Sequence, residues 1–195
     1  MTKMNMVDLS EEKSINKKYN IVLSTDPNIM EKQKEYIKYV NEHINNVQKA
    51  WNEVKMKCIT YMVYVMGPNH INFEYIDFNI KNHDISKFSK EEFEPYRKNF
   101  YPVDDKEKEE NKEAFDKAWI HHYMNNPHHW DYFASVGRED EMTFKDVVEM
   151  ICDWQAMGYK FGNTAKEWYE KNKSKIKLGK QQKIWVDEML NLLDK

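Results

Sequence analysis

From Tyr36 to Val65, apolar side chains return at steps of three and four: Tyr36, Val40, Ile44, Val47, Trp51, Val54, Cys58, Met62 and Val65. That spacing lines them along one face of a helix with 3.6 residues per turn, so the segment is one long helix or two abutting ones. Asp26-Pro27 supplies the start, because an Asp oxygen accepts orphan backbone N–H groups and Pro suits the first helical position. Gly67-Pro68-Asn69 ends it.

The remaining segments read the same way. Phe73, Ile76 and Ile80 mark a second helix, and Ser89-Lys90-Glu91-Glu92 is a capping box that predicts a third, running to about Phe100. The charged stretch from Tyr101 to Asn111 is expected to be an exposed connector. A helix from about Asn111 to Met124 stops near Asn125-Asn126-Pro127, and another starts at Thr143-Phe144-Lys145-Asp146 with Val147, Ile151 and Trp154 inward. Thr164-Ala165-Lys166-Glu167 is a further capping box, and Leu178 to Leu193 forms a closing amphipathic helix. Only five Gly and five Pro occur in 195 residues, with 41% apolar and 32% charged side chains, a balance that suits helices. The expected fold is all-α: one compact helical domain over 26–195, preceded by an N-terminal arm over 1–25 with one β-prone patch, Ile21-Val22-Leu23.

Composition also limits the function classes. No apolar run approaches the roughly 20 residues that cross a bilayer, and the N-terminus has no signal-peptide core, so a cytoplasmic protein without a membrane partner is expected. Cys58 and Cys152 stand far apart with no CxxC partner, which fits reduced thiols rather than a disulfide framework. Net charge is -3 and the only Arg residues are Arg97 and Arg138, so a face for a nucleic-acid polymer is not expected. Aromatic-rich helices leave room for an apolar patch and a homo-oligomer.

Against this background the histidines stand out. His43 lies on the apolar face beside Val40 and Val47, and His83-Asp84 continues the face of Ile76 and Ile80. His121-His122 and His128-His129 follow, then Asp153 between Met150 and Met157. A lone His on an apolar face is more often a hydrogen-bonded core residue than a ligand, and His70 in its Gly-Pro loop is set aside. The combination says more: imidazoles and carboxylates from separate helices are the donor set for borderline divalent cations. A buried Asp153 needs a partner, which a metal would supply. Consecutive helical residues point about 100° apart, so one member of each His pair is expected per ion.

The order His43, His83-Asp84, two His pairs, Asp153 resembles the HD-domain superfamily of helical metal-dependent phosphohydrolases. A tighter resemblance, over roughly residues 36 to 175, is to an uncharacterised DUF5662-like family of HD-like proteins from bacteria and phages. It rests on His83-Asp84-x-Ser86-Lys87-Phe88, Ala118-Trp119-x-x-His122, Asn126-x-His128-His129-Trp130 and Cys152-Asp153-Trp154. The superfamily resemblance implies an HD-like bundle in which His43 and His83 bind one metal, Asp84 bridges and Asp153 closes the site. His122, His128 and His129 fall where two-metal members place further ligands. The pattern favours His122 over His121, and it fits both His128 and His129, as metal ligand or substrate contact.

The cofactor so implied is a divalent transition metal, as two ions, with Mn, Fe, Zn, Co and Ni not distinguished. Asp84 and Lys87 become the catalytic candidates, Lys87 through contact with phosphate, and Lys87, Asn126 and Trp130 the substrate-binding ones. The implied activity is metal-dependent hydrolysis of a phosphate ester or anhydride in a nucleotide-like, small anionic phosphorylated substrate. Two alternatives stay open: an HD-type di-iron oxygenase, and a non-catalytic protein that binds and sequesters a nucleotide.

Overall fold

A computed structural model describes residues 21–67 and 73–195. Residues 1–20 of the expected N-terminal arm, and 68–72 with His70 and most of the Gly-Pro loop, lie outside the described residues; Ile21-Val22-Leu23 carry neither helix nor strand. The fold is all-α, with nine α-helices and two short 3-10 turns among the described residues and no strand among them.

Helix α1 is continuous from Pro27–Met66, so the long periodic segment is one helix rather than two. Asp26 Oδ1 accepts from the backbone N–H groups of Asn28 and Ile29 at 2.8 and 3.2 Å, which satisfies two donors the helix itself leaves free. Then come α2 (Glu74–Lys81), a 3-10 turn (Ile85–Phe88), α3 (Phe93–Phe100), α4 (Asp105–Glu110), α5 (Lys112–Asn125), α6 (Trp130–Ser135), a 3-10 turn (Glu139–Glu141), α7 (Phe144–Phe161), α8 (Ala165–Asn172) and α9 (Lys180–Leu193). By their internal contacts the described residues fall into two compact units, one of 21–41 with 85–122, the other of 42–67 and 73–84 with 123–195.

In the first unit, the described start of α1 meets α3 through aromatic edges: the Tyr36 and Phe93 rings lie 5.4 Å apart at 62°, and Tyr96 meets Phe115 of α5 at 5.1 Å and 67°. Two expectations fail here. Ser89-Lys90-Glu91-Glu92 does not cap α3: the helix begins at Phe93, and its N-cap Glu92 makes no side-chain cap bond. The Glu92 carboxylate is fully buried and committed elsewhere, to His121 and His122. The segment from Tyr101 to Asn111 is not a bare connector, because Asp104 accepts from the Glu107 N–H and starts α4. Fully buried Arg97 grips Glu107 through two nitrogens, at 2.7 and 2.8 Å, and Glu94 at 2.8 Å, which ties α4 to α3.

The second unit holds the larger core. Val47, Trp51, Val54, Cys58 and Met62 of α1 join Ile76 and Ile80 of α2, Val186, Met189 and Leu190 of α9, and Val147, Val148, Met150, Ile151, Cys152 and Trp154 of α7. Helix α7 opens with a complete Thr143/Asp146 capping box and buries most of its residues up to Gly158. The Thr164/Glu167 box forms as well and starts α8, whose Tyr169 stacks on Trp154 at 5.6 Å and 17°. Both cysteines are buried and free. No helix among the described residues is long and apolar enough to cross a membrane.

Candidate metal centre

The second unit brings together His43 of α1, His83 and Asp84 just past α2, His128 and His129 before α6, and Asp153 of α7. His43 reaches inward because it shares the buried face of Val40 and Val47, and only 5% of it is exposed. The HD pair does not sit on the helix as expected: α2 ends at Lys81, and Asp84 takes a left-handed backbone with φ of 56°. His128 and His129 also lie outside a helix, so the 100° divergence of helical neighbours does not apply and their rings approach to 4.3 Å. The backbone N–H of His129 is held at 3.0 Å by the Asn126 carbonyl. Trp130 is partly buried against the apolar core.

Four donor atoms converge. His43 Nε2 lies 3.3 Å from His83 Nε2, 3.1 Å from Asp153 Oδ1 and 3.5 Å from Asp84 Oδ2. His83 Nε2 lies 3.5 Å from Asp84 Oδ2 and 3.7 Å from Asp153 Oδ1. Ligands about 2.1 Å from one ion stand about 3.0 Å apart as octahedral neighbours and about 3.4 Å apart in a tetrahedron. These separations have the size of the edges of a coordination polyhedron.

The other oxygen of Asp84 faces a second group. Asp84 Oδ1 is 3.4 Å from the buried His128 Nε2. Donor atoms of His128, His129 and Asp153 lie within 4.8 Å of one another, as do those of Asp84 and His129. A neutral imidazole here would present a lone pair that a proton or a metal ion can take. Residues of this kind fit a divalent cation, with Asp84 able to serve two of them.

Electrostatics agree. Burial alone would lower the His83 imidazole, but Asp84, and bonds to Asp153 and Glu149, outweigh it and raise the group to about 9. Burial is likewise outweighed at His128, where Glu149 and Asp84 raise the imidazole to about 10. Burial pushes the Asp153 carboxyl up, yet its bonds to His43 and His83 hold it well below the ordinary carboxylate range. Glu149 is held low in the same way, by His128 and His83. Without metal, protons on the imidazoles supply the positive charge these carboxylates demand.

Sequence reasoning missed Glu149. It is buried, and its Oε1 lies 3.0 Å from His83 Nδ1 and 3.2 Å from His128 Nδ1. The available signal was a carboxylate inside the apolar run from Val147 to Cys152, one helical turn before Asp153. Glu92 was misread as a cap, although it plays a similar part in the first unit. Its Oε1 takes His121 Nδ1 at 2.7 Å and its Oε2 takes His122 Nδ1 at 2.8 Å. His122 also meets Ser86 Oγ at 3.2 Å and stacks on Trp119 at 5.8 Å. Lys87, in the same unit, lies with its Nζ 5.8 Å over the Tyr96 ring.

No curated protein and no solved structure matches the chain. A sequence-family profile does, over residues 32–194, most of the chain, and the protein therefore belongs to the family of unknown function DUF5662.

Proposed function

We propose that this protein is a metal-dependent phosphohydrolase of HD type, acting on a phosphate ester or anhydride of a small anionic, nucleotide-like substrate. The observation that carries the reading is that His43 Nε2 and His83 Nε2, 3.3 Å apart, each lie 3.1 to 3.7 Å from both Asp84 Oδ2 and Asp153 Oδ1. One ion would be held by these four residues. A second would take His128 and His129, with Asp84 shared through its other oxygen. When bound, the ions supply Lewis-acid polarisation of a phosphoryl oxygen and a lowered pKa for water at the site.

The residues of the chain prepare that chemistry. His83 and His128 direct their Nδ1 atoms to Glu149, which leaves each Nε2 lone pair for a ligand. Asp84, Asp153 and Glu149 carry three negative charges, and two divalent ions carry four positive ones. The doubly loaded site is then net positive and attracts an anion. The roles of His122 and Lys87 rest on the HD-type resemblance.

The test is a panel of p-nitrophenyl phosphate, bis(p-nitrophenyl) phosphate and nucleoside mono-, di- and triphosphates, offered to protein loaded in turn with Mn, Fe, Zn, Co or Ni. Metal-dependent release of phosphate or p-nitrophenol that disappears in Asp84→Asn supports the reading. Protein that holds metal but turns over none of these substrates contradicts hydrolysis.

A further inference from the structure

We infer that Glu149 is a shared positioning residue, one carboxylate that fixes the imidazoles of both proposed metal positions and so makes the two affinities rise and fall together. The inference rests on the metal-site reading above. Its grounds are geometric. A single oxygen, Glu149 Oε1, lies 3.0 Å from His83 Nδ1 and 3.2 Å from His128 Nδ1, and both rings are at least 98% buried. An ionised carboxylate only accepts, so each imidazole must donate from Nδ1, and in its neutral form each is left with a lone pair on Nε2.

Those Nε2 atoms are the ones directed at the two faces of Asp84. His83 Nε2 is 3.5 Å from Oδ2, and His128 Nε2 is 3.4 Å from Oδ1. The two rings also lie against each other, 4.4 Å apart at 33°, so a turn of one is transmitted to the other. Glu149 is therefore not itself a ligand in this arrangement. It selects the tautomer and the ring plane of one histidine from each ion's set, from the same helix that carries Asp153.

Measurement of both stepwise zinc affinities by competition with a chromophoric chelator tests this, for wild type, Glu149→Ala, Glu149→Gln and a control on the same helix, Met150→Ala. Met150 is 1% exposed, so its truncation loosens the same core while leaving the Glu149 carboxylate in place. The expected result is that Glu149→Ala weakens both sites together by roughly 10- to 100-fold each. Glu149→Gln keeps an acceptor oxygen in place and should recover part of the loss, while Met150→Ala should leave both affinities near wild type despite a lowered unfolding midpoint. In zinc-loaded protein labelled with nitrogen-15 histidine, the slow-exchanging Nδ1 protons of His83 and His128 should be visible and should shift or vanish in Glu149→Ala.

Loss of only one site in Glu149→Ala, unchanged affinities, or an equal loss in Met150→Ala would each overturn the shared role while leaving the metal site standing. A wild type that takes up no zinc would instead overturn the metal reading, and this inference with it.

Discussion

His83 Nε2 and Asp84 Oδ2 belong to adjacent residues yet stand 3.5 Å apart, and they do so where the chain has left α2 and Asp84 is left-handed at φ 56°. On a helix, neighbours diverge by about 100° and could not share an ion so closely. Asp tolerates this backbone better than most L residues, and Gly and Asn tolerate it well. Three substitutions should therefore differ in a set order. Asp84→Gly and Asp84→Asn should be of similar stability, and Asp84→Ala should fall below them by about 1 kcal/mol, measured by chemical denaturation without metal. An Ala variant as stable as the Gly variant would show that the conformation carries no strain.

The metal-free protein should have a defined pH profile. His83 and His128 rise from 6.5 to about 9 and about 10 on folding, so their stabilisation is complete below about pH 6.5 and is lost as pH climbs through those values. Asp153 and Glu149 are lowered, so their share is present above the ordinary carboxylate range and is lost in acid. Thermal unfolding in chelator should therefore show greatest stability at mildly acidic pH and a decline toward pH 10. Saturating metal should flatten the alkaline limb, since the ion replaces the protons.

Metal and protons compete for the same nitrogens. At pH 7 both His83 and His128 hold a proton in the metal-free protein, and each must release it to present a lone pair. Titration calorimetry in buffers of differing ionisation enthalpy should report net proton release on loading, and affinity should fall as pH is lowered. Binding without proton release would place the ions away from these two residues.

In the first unit, Arg97→Ala should be costly. The guanidinium is fully buried, and its removal leaves Glu107 without the partner that holds its carboxyl below the ordinary range. A loss of roughly 3 kcal/mol is expected, because a broken buried pair leaves charge uncompensated. Arg97→Lys should restore little, since one ammonium cannot grip Glu107 through two nitrogens. Denaturant midpoints for the two variants test this.

Where local and tertiary forces agree, the sequence was readable. Helix α1 followed from its spacing and from Asp26-Pro27, and the Thr143 and Thr164 boxes formed as their side-chain chemistry requires. Ser89 to Glu92 has the same hydroxyl-to-carboxylate spacing but fails, because its buried carboxylate is engaged by two histidines instead. The convergence of His43, His83, Asp84 and Asp153 could be anticipated from apolar faces and the HD-type order. Glu149 could not be given a role from spacing alone, since its partners lie 66 and 21 positions away and only the tertiary fold joins them. The proximity of His128 and His129 was hidden for a related reason: the helical rule was applied to a segment that is a turn.

Metal content is the most direct test of the whole account. Protein purified without chelator or a metal-binding tag should carry about two transition-metal ions per chain by elemental analysis, as a shared-carboxylate site requires. His83→Ala and Asp84→Asn should lose them while keeping helical circular dichroism. A wild type that holds no metal, even after anaerobic reconstitution with each candidate ion, would contradict the account and leave the histidines as packed, proton-bearing partners of Glu149 and Asp153.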